Sequence, residues 1–145
     1  MHDNESLEAE FDDHLAVLLA GRAAERAILG SISAGAGGPK ESDLARATLL
    51  ATMIEMQFGL GAYGPVWMQE TAFRDPALLG RIRTRLEAAE ARAAEMIIAH
   101  EAELRALADA LMAEGELSGS RLDGFLDALN TLACPAASQD YPVAC

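Results

Sequence analysis

Apolar residues recur every three to four positions over most of the chain, separated by segments rich in glycine, proline and serine. This spacing places apolar side chains on one face of an α-helix. The first such segment runs from Ser6, a candidate N-cap, to about Leu29. The second runs from Asp43 to about Phe58, and Ser42 is well placed to cap it. The pattern therefore predicts an all-α fold.

A third apolar stripe, Leu78–Leu111, is longer than an ordinary globular helix. Asp75 directly precedes a proline, a combination that is typical of a helix start. The stripe is either one long rod or two helices folded as a hairpin, with a break at residues 100–103. We expect the hairpin, followed by a last helix that begins at Ser118 or Ser120. The predicted domain thus has two shorter helices, a long antiparallel helical hairpin and a short C-terminal helix.

Composition agrees with a helical domain, since 51% of the 145 residues are apolar and only 5% are aromatic. Acidic residues number 23 against 11 basic ones, which gives a formal net charge of −12. Such a surface repels phosphate backbones, so we expect no nucleic-acid partner. No apolar run approaches the roughly eighteen residues that a membrane span needs. We therefore expect no membrane span in this chain and a cytoplasmic location.

The domain is expected to occupy residues 1–130, with residues 131–145 as a flexible tail. That tail carries two prolines and no apolar stripe. It also contains both cysteines, Cys134 and Cys145, which show no spacing typical of a metal site. Whether these two thiols are free or bridged stays open.

Taken alone, the residues indicate little chemistry, because the sequence lacks a His-Glu-x-x-His motif, a phosphate-binding loop and a Gly-x-Ser-x-Gly motif. His14 and His100 are more typical of surface or hydrogen-bonded histidines than of metal ligands. Asp43 would ordinarily offer its charge to a helix N-terminus, worth about 0.3–1 kcal/mol. Trp67 and Met68, in a loop, are better explained as a hydrophobic plug than as a substrate subsite.

Four segments, in order, resemble the FtsH-type ATP-dependent zinc metallopeptidases of the AAA+ class. LAGRAAERAILG at residues 19–30 resembles that family's Gly-Gly-Arg-x-Ala-Glu-Glu helix. SDLARAT at 42–48 resembles its Asn-Asp-Ile/Leu-x-x-Ala-Thr, and FGLGAYGP at 58–65 resembles the Trp-Gly segment that follows. The pattern over 81–116 resembles the family's closing pair of helices. The likeness covers about residues 11–130 and implies the C-terminal helical part of the peptidase domain.

The resemblance also implies a role for Asp43. In that family, zinc is held by two histidines of a His-Glu-x-x-His helix and by one aspartate, whose position corresponds to Asp43. Arg22 and Glu25 correspond to structural positions that fix helix contacts. The histidine-bearing helix and the ATPase module are absent from this sequence, so the zinc site is incomplete and ATP would act only through the absent module. We expect the isolated chain to be inactive.

Two hypotheses follow from this resemblance. In the first, the chain is part of an ATP-dependent zinc metalloprotease that degrades protein substrates, assembles as a homo-oligomer and is anchored on the cytoplasmic side of the inner membrane. In the second, it is a non-catalytic helical assembly or docking module derived from the same family. The two differ in whether the parent polypeptide carries the His-Glu-x-x-His helix.

Overall fold

The computed structural model describes residues 3–69 and 75–133 of the chain. Within these residues the regular structure is helical, without a strand, which confirms the predicted all-α class. None of the described helices combines the length and the apolar content that crossing a membrane requires. The α-helices are α1 (Asp3–Ala24), α2 (Asp43–Met56), α3 (Pro76–Ala99), α4 (Glu101–Glu114) and α5 (Gly119–Ala133).

Helix α1 differs from the prediction at its start but not at its end. It begins at Asp3, so Ser6 lies inside the helix and does not cap it, contrary to the prediction. Its last turn widens into a π-helical segment, Glu25–Leu29. The helix stops at Gly30, whose φ of 74° is a left-handed conformation that a residue without a Cβ adopts at little cost.

Helix α2 begins as the sequence predicts. Ser42 Oγ accepts a hydrogen bond from the backbone N–H of Ala45 at 3.2 Å, which satisfies one of the unpaired donors of the first turn. A short 3-10 turn, Ala34–Ala36, lies in the loop before it. The loop after it is tied back where the N–H of Met68 donates to the carbonyl of Met56 at 2.8 Å. Both ends of α2 are therefore fixed by specific hydrogen bonds.

The helices form two compact units, residues 1–97 and 98–145. The first unit holds a hydrophobic core built from α1, α2 and the first four turns of α3. Each fully buried leucine or isoleucine side chain contributes on the order of 1.5–3 kcal/mol relative to exposure. The core residues are Leu15, Leu19, Ala47, Ala51, Ile54, Met56, Leu78, Ile82 and Ala89.

The long apolar stripe is interrupted at His100, which confirms the predicted break. Its φ of −117° and ψ of 25° are not helical, and α3 ends directly before it. Asp75 also acts as predicted, because its Oδ1 accepts from the N–H of Ala77 at 2.9 Å. The antiparallel arrangement of α3 and α4 stays a prediction.

The second unit contains α4 and α5, joined by a short turn in which Gly115 has a φ of 76°. Helix α5 starts at Gly119, next to the predicted Ser118, and continues to Ala133. The division into a domain over 1–130 and a tail over 131–145 stays a prediction. Both cysteines lie in residues 134–145, outside the described part of the chain.

Candidate metal-ligand site

Asp43 is the first residue of α2, directly after the capping serine. Its side chain is 67% exposed, and Oδ1 lies 3.7 Å from Nη1 of Arg46 one turn along the helix. That separation is longer than a charge-assisted hydrogen bond, and an exposed i, i+3 pair is weak. The carboxylate is therefore accessible to a further cationic partner.

Asp43 opens onto a small recess of about 160 Å³ between the end of α1 and the start of α2. The recess brings together two of the four segments that carry the family resemblance, because Glu25 of the first and Asp43 of the second both line it. Its lining residues are Leu18, Leu19, Gly21, Arg22, Glu25, Gly35, Asp43 and Leu44.

Glu25 fixes the loop beside this recess. Its Oε2 accepts from the N–H of Ser33 at 2.7 Å, and its Oε1 accepts from the hydroxyl of the same serine at 3.0 Å. These two bonds draw the glycine-rich loop back towards the π-helical turn. The contact is thus between a helix and a loop, whereas the sequence led us to expect a contact between helices.

Arg22 makes the helix contact that the sequence predicts. Its Nε donates to Glu90 Oε2 of α3 at 3.2 Å, and Arg26 Nη1 lies 3.0 Å from Glu90 Oε1. The side chain of Glu90 is only 15% exposed, so its charge is compensated by two arginines from α1. This pairing fixes the end of α1, and with it one wall of the recess, against α3.

The face of α1 beside the recess is open. A Cβ added to Gly21 would meet nothing within 4 Å, and Val17, one turn earlier, is 71% exposed. Residues four apart lie on one face of a helix, so these two mark a small, accessible apolar surface. This open surface leaves room for the close approach of another helix at Gly21.

Within the described ranges, no group of three or more histidine, cysteine, aspartate or glutamate side chains is placed to hold a metal ion. A catalytic zinc ion takes three protein ligands and keeps one position open for water. His14 is exposed on α1, and His100 has a buried Nδ1 without a hydrogen-bond partner. The accessible carboxylate of Asp43 suits one oxygen ligand, but the described residues do not complete a zinc site.

Comparison with known proteins identifies the family. The sequence model of peptidase family M41 matches residues 2–124. The chain is 36% identical over 119 residues to the ATP-dependent zinc metalloprotease FtsH 1 of Symbiobacterium thermophilum, covering 79% of this chain and 19% of that protein. It is 32% identical over 143 residues to the FtsH of Pelobacter propionicus, covering 86% and 22%.

A third relative, the ATP-dependent zinc metalloprotease FtsH 3 of Sorangium cellulosum, is 34% identical over 106 residues, covering 70% of this chain and 17% of the relative. The chain therefore spans about a fifth of the length of the curated relatives it matches. The match of the family model over most of the chain confirms the resemblance drawn from the four segments. The chain belongs to peptidase family M41, the family of the FtsH-type zinc metallopeptidases.

Proposed function

We propose that this chain is the C-terminal helical portion of the proteolytic domain of an ATP-dependent zinc metalloprotease, and that Asp43 supplies the third zinc ligand. The observation that carries the proposal is the position of Asp43: two-thirds exposed, weakly paired, and on the rim of a recess shared with Glu25. The two histidine ligands would come from a helix outside this sequence.

The surroundings of Asp43 support such a docking. A helix that carries two histidines must approach α1 and α2 closely enough for imidazole and carboxylate groups to reach one ion, about 2.0–2.2 Å from each ligand atom. Gly21 and the open face beside it leave room for that approach. In the complete site the ion would lower the pKa of its bound water towards neutrality, which supplies the nucleophile for peptide hydrolysis.

The isolated chain should bind zinc weakly and cleave no protein substrate, because one carboxylate cannot retain a catalytic zinc ion. Competition for Zn²⁺ with a chromophoric chelator, together with a casein digestion assay, measures both properties. Clear casein hydrolysis by the isolated chain would overturn this expectation.

In the parent protease, Asp43→Asn should lower zinc content and proteolysis at least about tenfold while leaving ATP hydrolysis largely intact. Asparagine keeps the size of the side chain but removes the anionic ligand, and the helix-start charge it also removes is worth only about 0.3–1 kcal/mol. Zinc analysis after dialysis, peptide cleavage and phosphate release give three separate readouts.

Glu41→Gln is the matched control for Asp43→Asn, because it removes an exposed charge two residues earlier and should change none of the three readouts. If the Asp43→Asn variant keeps wild-type proteolysis and zinc content, Asp43 is not a zinc ligand and contributes only its charge at the start of α2.

The alternative function is a non-catalytic helical assembly or docking module of the same family. It is supported by the long apolar stripe, because Met96 and Leu111 on that stripe are 58% and 47% exposed. The coding sequence upstream of Met1 distinguishes the two proposals. A continuous frame with a His-Glu-x-x-His helix and a phosphate-binding loop supports the first proposal. That proposal includes protein substrates, a homo-oligomer and an anchor at the inner membrane. A stop codon there supports the module.

A further inference from the structure

The second unit carries an apolar groove of about 450 Å³ between α4 and α5. The groove lies wholly within that unit. Its floor consists mainly of small or aromatic side chains, and Glu103 and Arg121 are its charged members. The lining residues are Glu103, Ala106, Ser120, Arg121, Gly124, Phe125 and Ala128.

This pair of helices has little core of its own. Every described side chain of residues 98–130 is at least partly exposed, and α4 has no buried residue. Isolated helices of this length are marginal in water, and most of their stability comes from covering an apolar face. The groove is therefore a surface whose burial would stabilise the unit.

The unit that carries the groove is strongly acidic, and Glu103 lines the groove itself. Residues 98–133 hold seven acidic residues and two arginines. Both arginines are already compensated within the unit, Arg105 by Glu101 and Arg121 by Glu114. Four further acids make no ion pair with any described residue: Glu103, Asp109, Glu116 and Asp123. This excess of negative charge is denser than in the first unit, which has 15 acids and nine bases over 97 residues.

We propose that the groove between α4 and α5 binds an amphipathic helix of a partner protein, whose apolar face is flanked by lysine or arginine. A third helix laid into the groove would bury Phe125 and the small residues around it, in the way that three helices share one core. Basic residues beside its apolar face would meet the unpaired acids, starting with Glu103 at the groove itself.

A second copy of this chain does not suit the same surface. In a two-fold symmetric contact it would bring the same unit, with the same excess of acids, against the first, and like charges placed opposite each other oppose association. The groove proposal does not rest on the zinc chemistry, so it and the proposed zinc-ligand role of Asp43 can be disproved independently.

The test uses the whole chain and a synthetic amphipathic peptide of about five helical turns made from leucine, alanine and lysine. A matched peptide replaces each lysine with glutamate. Fluorescence anisotropy at physiological ionic strength should show the lysine peptide binding at least about tenfold more tightly than the glutamate peptide.

Two variants locate the binding. A Cβ added at Gly124 meets nothing within 4 Å, so Gly124→Leu should fill the groove without disturbing the helix pair and weaken binding about tenfold. Glu103→Lys should weaken peptide binding several-fold without filling the groove. This second variant tests the proposal even if Gly124→Leu folds poorly. Gly80→Leu is the control, since it adds the same side chain at an open position of α3 in the other unit.

Three results would overturn the proposal. In the first, the lysine peptide binds, but neither Gly124→Leu nor Glu103→Lys weakens its binding. Such a result would show diffuse electrostatic attraction to a chain of net charge −12 and not binding in the groove. The second is absence of binding by the wild-type chain. The third is a wild-type dimer in sedimentation that Gly124→Leu converts to a monomer, because a second copy then covers the groove.

Discussion

Gly61 lies where the loop after α2 folds back onto the end of that helix. A Cβ placed on it would stand 2.8 Å from the Cα of Glu55 and 3.0 Å from the carbonyl oxygen of the same residue. Those atoms belong to the helix backbone and cannot move aside as a side chain would. The fold therefore requires glycine here because of a close approach between two backbone segments.

We expect Gly61→Ala to lower the free energy of unfolding by about 1–3 kcal/mol, the usual cost of forcing an extra carbon into a packed site. Urea denaturation followed by circular dichroism measures the change. The control is Gly80→Ala in the open first half of α3, where the gain in helix propensity should stabilise by up to about 1 kcal/mol. Equal stability of the two variants would contradict the packing explanation.

Trp67 shows the limit of reasoning from residue type. Its side chain is 66% exposed, so the predicted hydrophobic plug is wrong for this residue. Met68, its neighbour, does pack against the main core. Adjacent residues in an irregular loop have no fixed periodicity, and the hydrogen bond from Met68 to Met56 decides which of the two faces inward.

At the scale of the helices, Arg85 of α3 joins all three elements of the first unit. Its Nη2 lies 3.1 Å from Glu55 Oε1 of α2, and its Nη1 lies 3.3 Å from Asp12 Oδ1 and 3.6 Å from Glu8 Oε1 of α1. Glu55 is 5% exposed, and its Oε2 is buried without a hydrogen-bond partner. The arginine thus compensates a carboxylate that is almost fully buried.

Arg85→Ala should therefore destabilise the chain by about 3 kcal/mol, because it leaves the Glu55 carboxylate buried and unpaired. Adding Glu55→Gln should recover part of that loss, since the buried charge is then removed as well. Urea unfolding of the single and double variants measures both effects.

Arg83→Ala is the control for Arg85, two residues away on the same helix. Arg83 is exposed and donates to Glu87 Oε1 at 2.7 Å, a hydrogen bond that raises the pKa of the Arg83 guanidinium above its ordinary value. An exposed pair of this kind contributes little to stability, so the unfolding midpoint should not move. A loss as large as that of Arg85→Ala would show that burial is not the cause.

At the scale of the whole chain, the two units differ in how much apolar surface they bury. Every buried hydrophobic residue of the described chain precedes residue 98. Within the second unit, α4 and α5 contact each other, but no described side chain of residues 98–130 is fully buried. Local stability follows buried contacts, so the two units should not open with the same free energy.

Backbone amides in α4 and α5 should exchange with deuterium at least about tenfold faster than those in the middle of α1 and α2. Hydrogen exchange followed by mass spectrometry of peptic fragments resolves the difference. Uniform protection across both units would show that the second is stabilised by contacts beyond its own two helices. The lysine peptide proposed as a probe should slow exchange in α4 and α5 and leave α1 and α2 unchanged.

The sequence by itself determined the helical class, the caps at Ser42 and Asp75, the break at His100 and the family. Caps, breaks and apolar periodicity are local signals, because they depend on neighbours three or four residues away. For the same reason Asp43 could be matched to a family position before any contact was known.

Only the tertiary structure decided that Glu25 and Asp43 share one recess and that Arg85 contacts acids of both α1 and α2. It also decided that no described side chain of residues 98–130 is fully buried. These features join residues far apart in the chain, and which of them meet is set by how whole helices pack. The type and spacing of residues along the chain do not indicate which distant residues will be in contact in the fold.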